Sequence, residues 1–204
     1  MRTLLKGTLV LCVVVGMVSV AQAQNRVPPD FDPGFLLLNG SVQKDVKVTD
    51  EQNTKLKDAM EKIRDNHKDD YAKIREMSRK DQFKLITTIR EEARKAAAGI
   101  LDAKQMKRFK QIQWQLGGAR ALEDPEAQEG LKLSGEQKKK LATIFEESDK
   151  KMVELFQGGA GTREKFIALQ KETQDKANGV LSEEQKKNWK EMKGEPFEFP
   201  RRGR

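Results

Sequence analysis

The side chains able to do chemistry are few in this chain and badly placed for it. Among 204 residues there is one histidine, His67, and one cysteine, Cys12. Side-chain catalysis needs a nucleophile, a base and a group that orients the base, and a metal centre needs several converging ligands. Cys12 lies in an apolar run near the N-terminus, so the remaining chain has no thiol for a disulfide, a thiolate metal site or a nucleophile. His67 continues the series Leu56, Met60, Ile63, His67, Tyr71 and Ile74, whose steps of three and four give it a packing role on one helix face. Adjacent carboxylates such as Asp69 and Asp70, or Glu146 and Glu147, diverge around a helix. No segment reads as a strand, so no glycine-rich phosphate loop follows one. These residues predict no catalytic site, no metal and no cofactor, and the chain is expected not to be an enzyme.

What does recur is a five-residue pattern of aliphatic residue, capping residue, two free positions and glutamine. It occurs as Val48-Thr49-Asp50-Glu51-Gln52, Leu101-Asp102-Ala103-Lys104-Gln105, Leu133-Ser134-Gly135-Glu136-Gln137 and Leu181-Ser182-Glu183-Glu184-Gln185. Each is a capping box. The oxygen of Thr49, Asp102, Ser134 or Ser182 accepts from the amide three residues on, and Gln52, Gln105, Gln137 or Gln185 reaches back to the cap amide. One box is common, but four in register predict four helix starts.

The boxes belong to a duplication. Val42–Gln52 aligns without a gap with Ala127–Gln137, 85 positions on, and Leu37 and Leu56 then fall on Leu122 and Leu141. Ala97–Gln105 aligns with Ala177–Gln185 at an offset of 80. This predicts an all-α fold of two tandem three-helix units built from long helical hairpins, elongated and with a small core. In each unit a long helix follows the first box, a second returns, and the second box opens a shorter third. The returning helices are expected to open at Ser78 and Thr162, the latter after Gly158-Gly159-Ala160-Gly161. No proline lies between Gly34 and Asp124 or between Glu126 and Glu195, which permits long helices. The expected boundaries are 1–23 signal peptide, 24–36 extended N-terminal segment, 37–121 first unit, 122–193 second unit and 194–204 a Pro/Phe/Arg tail.

Arg2 and Lys6, the apolar stretch to Val20 and Ala21-Gln22-Ala23 have the order of a secretory signal. The apolar run is short for a membrane span, so after cleavage no integral span is expected and the location is periplasmic or secreted. Without the two basic residues of the signal, the 40 Lys and Arg and 32 Asp and Glu leave a net charge of +6. Acid-to-base pairs four residues apart, such as Glu51/Lys55, Glu147/Lys151 and Glu172/Lys176, lace the helices, each contributing roughly 0.2–0.5 kcal/mol. Basic residues thicken at Arg75, Arg79, Lys80 and Lys84, at Arg90 and Arg94, and at Lys107 and Arg108. They are the candidate surface for an anionic or unfolded polypeptide. Interspersed acids and the export signal argue against nucleic acid as a partner.

The four boxes, the signal and the basic, cysteine-free helical body resemble the LTxxQ-motif proteins, the Spy- and CpxP-like group of periplasmic chaperones and envelope-stress proteins. The resemblance covers positions 37–57, 97–112, 122–142 and 177–192, with four boxes in place of two, as in a tandem-duplicated relative. It implies helical hairpins that form a homodimer, a thin cradle holding unfolded polypeptide clients without ATP. The histidine-rich segments of the metal-sensing relatives are missing, so no metal function is carried over. The expected function is that of an exported ATP-independent chaperone-like or envelope-stress binding protein. The alternative is a structural adaptor docking one fixed envelope protein partner through its two similar faces.

Overall fold

The computed structural model describes residues 36–74, 76–157 and 163–198, with the backbone alone at 79, 80, 83, 156 and 157. The predicted signal, nearly all of the N-terminal segment, Arg75, the glycine run with Thr162, and the end of the tail lie outside the described residues. Among the described residues the chain is all-α, with no strand. In order come α1 (Gly40–Val46), α2 (Asp50–Asn66), α3 (Lys68–Lys73), α4 (Arg79–Ile100) and α5 (Ala103–Gly117). A 3-10 helix (Gly118–Glu123) leads to α6 (Pro125–Gly130), α7 (Gly135–Gln157), α8 (Arg163–Val180) and α9 (Glu183–Lys193).

All four boxes stand at helix starts. Thr49, Asp102 and Ser182 each accept from the amide three residues on while the glutamine returns to the cap amide. Ser134 and Gln137 exchange the same two bonds, at 3.2 and 3.0 Å. Ser78 caps α4, accepting from the Asp81 amide at 3.2 Å.

The helix ahead of each first box is an element the apolar spacing does not announce. Asn39 and Asp124, 85 residues apart, cap α1 and α6 through their side-chain oxygens, and Pro125 takes the first turn of α6, where its missing N–H costs nothing. Both helices end in a Schellman motif. Lys47 and Lys132 adopt left-handed backbone at φ 59° and 52°, and the amides of Val48 and Leu133 bond the carbonyls of Gln43 and Gln128, both at 2.9 Å. Among the described residues each copy thus carries a short helix ahead of those expected.

A second difference lies in the first long helix, expected to run unbroken towards Ser78. It ends at Asn66, and His67, at φ −106° and ψ 14°, separates it from α3. The matching helix α7 passes through the equivalent Met152 without a break. The break coincides with an imidazole drawn between Asp70 and Glu92.

α2 pairs with α4 and α7 with α8 as two hairpins, while α5 packs on α1 and on α9. The core sits at the box ends. One cluster joins Leu37, Val42, Val46, Leu56, Ala97, Leu101, Phe109 and Ile112. The other joins Leu122, Leu131, Leu141, Phe145, Ala177, Leu181 and Trp189 with Trp114 and Ala119. α5 therefore serves both clusters, and the expected boundary at 121/122 falls inside the 3-10 helix, whose Ala119, Ala121 and Leu122 belong to the second. The two tryptophans, which occupy unmatched positions in the repeat, meet at 5.4 Å between ring centroids with planes tilted by 50°.

The tail returns across this junction. Gln115 Nε2 donates to the carbonyls of Lys193 and Glu195, its Oε1 accepts from the Phe197 amide at 2.7 Å, and Phe197 packs against the first cluster. Away from the box ends the hairpins are bare arms. Among the described side chains, none between 61 and 88 and none between 149 and 168 is buried.

Candidate binding surface

The eight box residues are brought together as two clasps. In the first, Gln52 and Gln105, 53 residues apart, donate to each other's carbonyl oxygens at 2.8 Å. The second N–H of Gln52 reaches Ile100 O at 3.0 Å, and that of Gln105 reaches Lys47 O at 2.8 Å. Their oxygens also accept from the cap amides of Thr49 and Asp102, at 3.1 and 2.9 Å. Every donor and lone pair of both side-chain amides is used, so a half-buried polar pair stands inside the fold without an unmet group. Gln137 and Gln185 repeat the arrangement, bonding one another at 2.7 and 3.1 Å and the carbonyls of Val180 and Leu131 at 2.9 and 3.2 Å. The boxes thus do more than start helices: the two starts in each copy are tied to one another. This is architecture, and it leaves no donor or lone pair of the four glutamine amides over for a ligand.

Among the predicted basic residues whose side chains are described, Arg94 and Arg108 are engaged by carboxylates of the chain itself. Arg108 is internal, 19 % exposed in its side chain, gripping Asp45 at 2.5 and 3.2 Å and the Glu195 carbonyl at 2.7 Å. Arg94 and Lys110 both turn to Glu126 of α6, binding the first copy to the second. Lys84 and Lys107 are exposed, Arg90 is half-buried, Arg79 and Lys80 lie in the first turn of α4, and Arg75 is outside the described residues. The positive charge is nevertheless unevenly shared. Residues 37–121 hold 20 Lys and Arg against 13 Asp and Glu, whereas 122–193 hold 14 against 15.

Composition alone did not place the feature best suited to binding, which is on the second arm. Between α7 and α8 an open groove has Leu155, Ala168 and Leu169 on its floor, rimmed by Lys151, Lys165, Glu154 and Glu172. The same helix α8 carries Phe166 and Ile167, 37 % and 52 % exposed, two of the three large apolar side chains most open to solvent among the described residues. Hydrogen bonds from Lys151 and Lys176, at 2.7 and 2.9 Å, pull the Glu172 carboxyl down to about 2, so this rim stays ionised to low pH. Lys151 spans the hairpin to Glu172, not to Glu147 one turn back as the sequence spacing suggested. Elsewhere burial raises the Glu123 carboxyl against the pull of Arg120, and burial lowers the Lys193 ammonium.

Among the described residues no cluster of histidine, cysteine and carboxylates has the shape of a metal site, and no helix is long and apolar enough to cross a membrane. Comparison of the chain with protein-family models, with curated proteins and with solved structures finds no match.

Proposed function

We propose that this protein is an exported, ATP-independent chaperone-like protein of the cell envelope, a tandem-duplicated relative of the LTxxQ-motif group, and that it holds non-native polypeptide along its arms. The observation that carries this reading is the bareness of the arms: two helices thick, without a buried side chain among the described residues of their outer parts, and with Phe166 and Ile167 exposed. Covering the exposed portion of two such side chains contributes about 1–2 kcal/mol. Holding a client therefore needs many weak contacts spread along the arms, which suits segments of varied sequence. Apolar stretches lie on the groove floor, and basic or acidic flanks meet the opposite charge on the rim.

Light scattering of aggregating clients in the presence of the mature protein tests this. Suppression at stoichiometric ratios for several unrelated clients, without nucleotide, is expected. No suppression for any of them excludes the reading and leaves the single-partner adaptor.

A further inference from the structure

His67 is the one histidine of the chain and Tyr71, one turn on, the one tyrosine. The imidazole stands at the break between α2 and α3 with its side chain 13 % exposed. Its Nδ1 lies 3.3 Å from Asp70 Oδ2 on α3, and its Nε2 lies 3.1 Å from Glu92 Oε2 on α4. A carboxylate only accepts hydrogen bonds, and a neutral imidazole carries a single N–H. Two carboxylates on the two ring nitrogens are satisfied together by the imidazolium alone. In the neutral ring one contact becomes a lone pair facing an anion. A shared metal ion is not an alternative, because the two carboxylates occupy opposite edges of the ring and have no common centre.

We propose that His67 is a protonation-dependent latch: as imidazolium it ties the α2–α3 break to α4 and holds the outer part of the first arm closed, and as neutral imidazole it releases it. The charged groups acting on the ring are Asp70 from α3 and Glu92 from α4, with none from α2 among the described residues. Burial disfavours the charged ring, and the hydrogen bonds to Glu92 and then Asp70 more than offset it, so its pKa is raised above the ordinary 6.5. The sign follows from linkage: the added stability is complete below the unfolded value and is lost as pH rises through the folded one. Among the described residues the second arm has no such device. Met152 takes the place of His67, and α7 is tied to α8 by Lys151 to Glu172 at 2.7 Å and by Lys176 to Glu147 at 3.9 Å, pairs without a histidine. The two arms therefore answer pH differently, whether or not they bind clients.

Proton NMR of the mature protein reads this ring without overlap, since no other histidine contributes. The expected midpoint lies above that of the same chain unfolded in urea, and Glu92→Gln and Asp70→Asn each lower it. Amide-exchange protection over residues 61–74 and 76–88, taken relative to 149–157 and 163–168 so that the intrinsic pH dependence cancels, should fall as pH rises from the unfolded midpoint through the measured folded one. The factor of that fall is ten raised to the measured difference between the folded and unfolded midpoints. A midpoint at or below the unfolded one, or a protection ratio that stays flat through the midpoint, overturns the latch.

Discussion

Replacing Gln105 by alanine tests how the two helix starts of one copy hold each other. The side chain is 8 % exposed and takes part in four bonds: two with Gln52 at 2.8 Å, one from the Asp102 amide at 2.9 Å and one to Lys47 O at 2.8 Å. Truncation leaves the Lys47 carbonyl and the Asp102 amide without this partner, together with one N–H and one lone pair of Gln52. At about 0.5–1.5 kcal/mol net per bond, and with water able to reach the half-buried Gln52, the loss is about 2–3 kcal/mol. In the second copy Gln185 is less buried and two of its bonds are longer, 3.1 and 3.2 Å, so Gln185→Ala should cost about 1–2 kcal/mol. Urea unfolding followed by circular dichroism measures both. Because either truncation already removes the two mutual bonds, adding Gln52→Ala to Gln105→Ala should cost about 1–2 kcal/mol less than Gln52→Ala alone, what remains being its bonds to Ile100 O and the Thr49 amide. Single-mutant costs that add to within about 0.3 kcal/mol would show that the glutamines merely cap their own helices.

Lys47 and Lys132 hold left-handed backbone that glycine adopts without strain. Lys47→Gly and Lys132→Gly should each stabilise the protein by up to about 1 kcal/mol, the relief of left-handed strain less the entropy that glycine adds to the unfolded chain. A lower urea midpoint for both would contradict the assignment of these turns. Gly194 has φ 65°, and a Cβ there would lie 2.5 Å from the Gln111 side chain. Gly194→Ala should therefore cost about 1–3 kcal/mol, chiefly because φ 65° with ψ −158° is backbone that essentially glycine alone adopts. It should also raise hydrogen exchange at the Phe197 amide, which Gln115 holds; unchanged exchange there would mean that the strap does not depend on this turn.

Most of the helical plan was legible because it is written in local chemistry. A hydroxyl or carboxylate with a glutamine three residues on fixes a helix start within one turn, and at all four places the start is there. Ser78, marked only by analogy between the copies, caps α4 for the same local reason. The misses are of two kinds. α1 and α6 are too short for an apolar period, yet their signal was present in Asn39 and Asp124 at the repeat offset and in Pro125. The rest depends on distance in space. That Gln52 meets Gln105, that Arg108 spends its guanidinium on Asp45, and that Trp114 joins the second copy's core are long-range contacts, which spacing along one helix does not encode. The same limit hid the role of His67: periodicity placed it on the packed face, and only Glu92, 25 residues away, makes it a charged bridge.

Where a client lies on the molecule is the most direct test of the arms as the binding surface. A photoreactive side chain placed at Ile167, 52 % exposed on the second arm, is to be compared with one at the exposed Lys187 on α9, at the box end. Crosslinks to unfolded client concentrated at position 167 and sparse at 187 are expected. Crosslinking equal at the two positions, or stronger at 187, would contradict it.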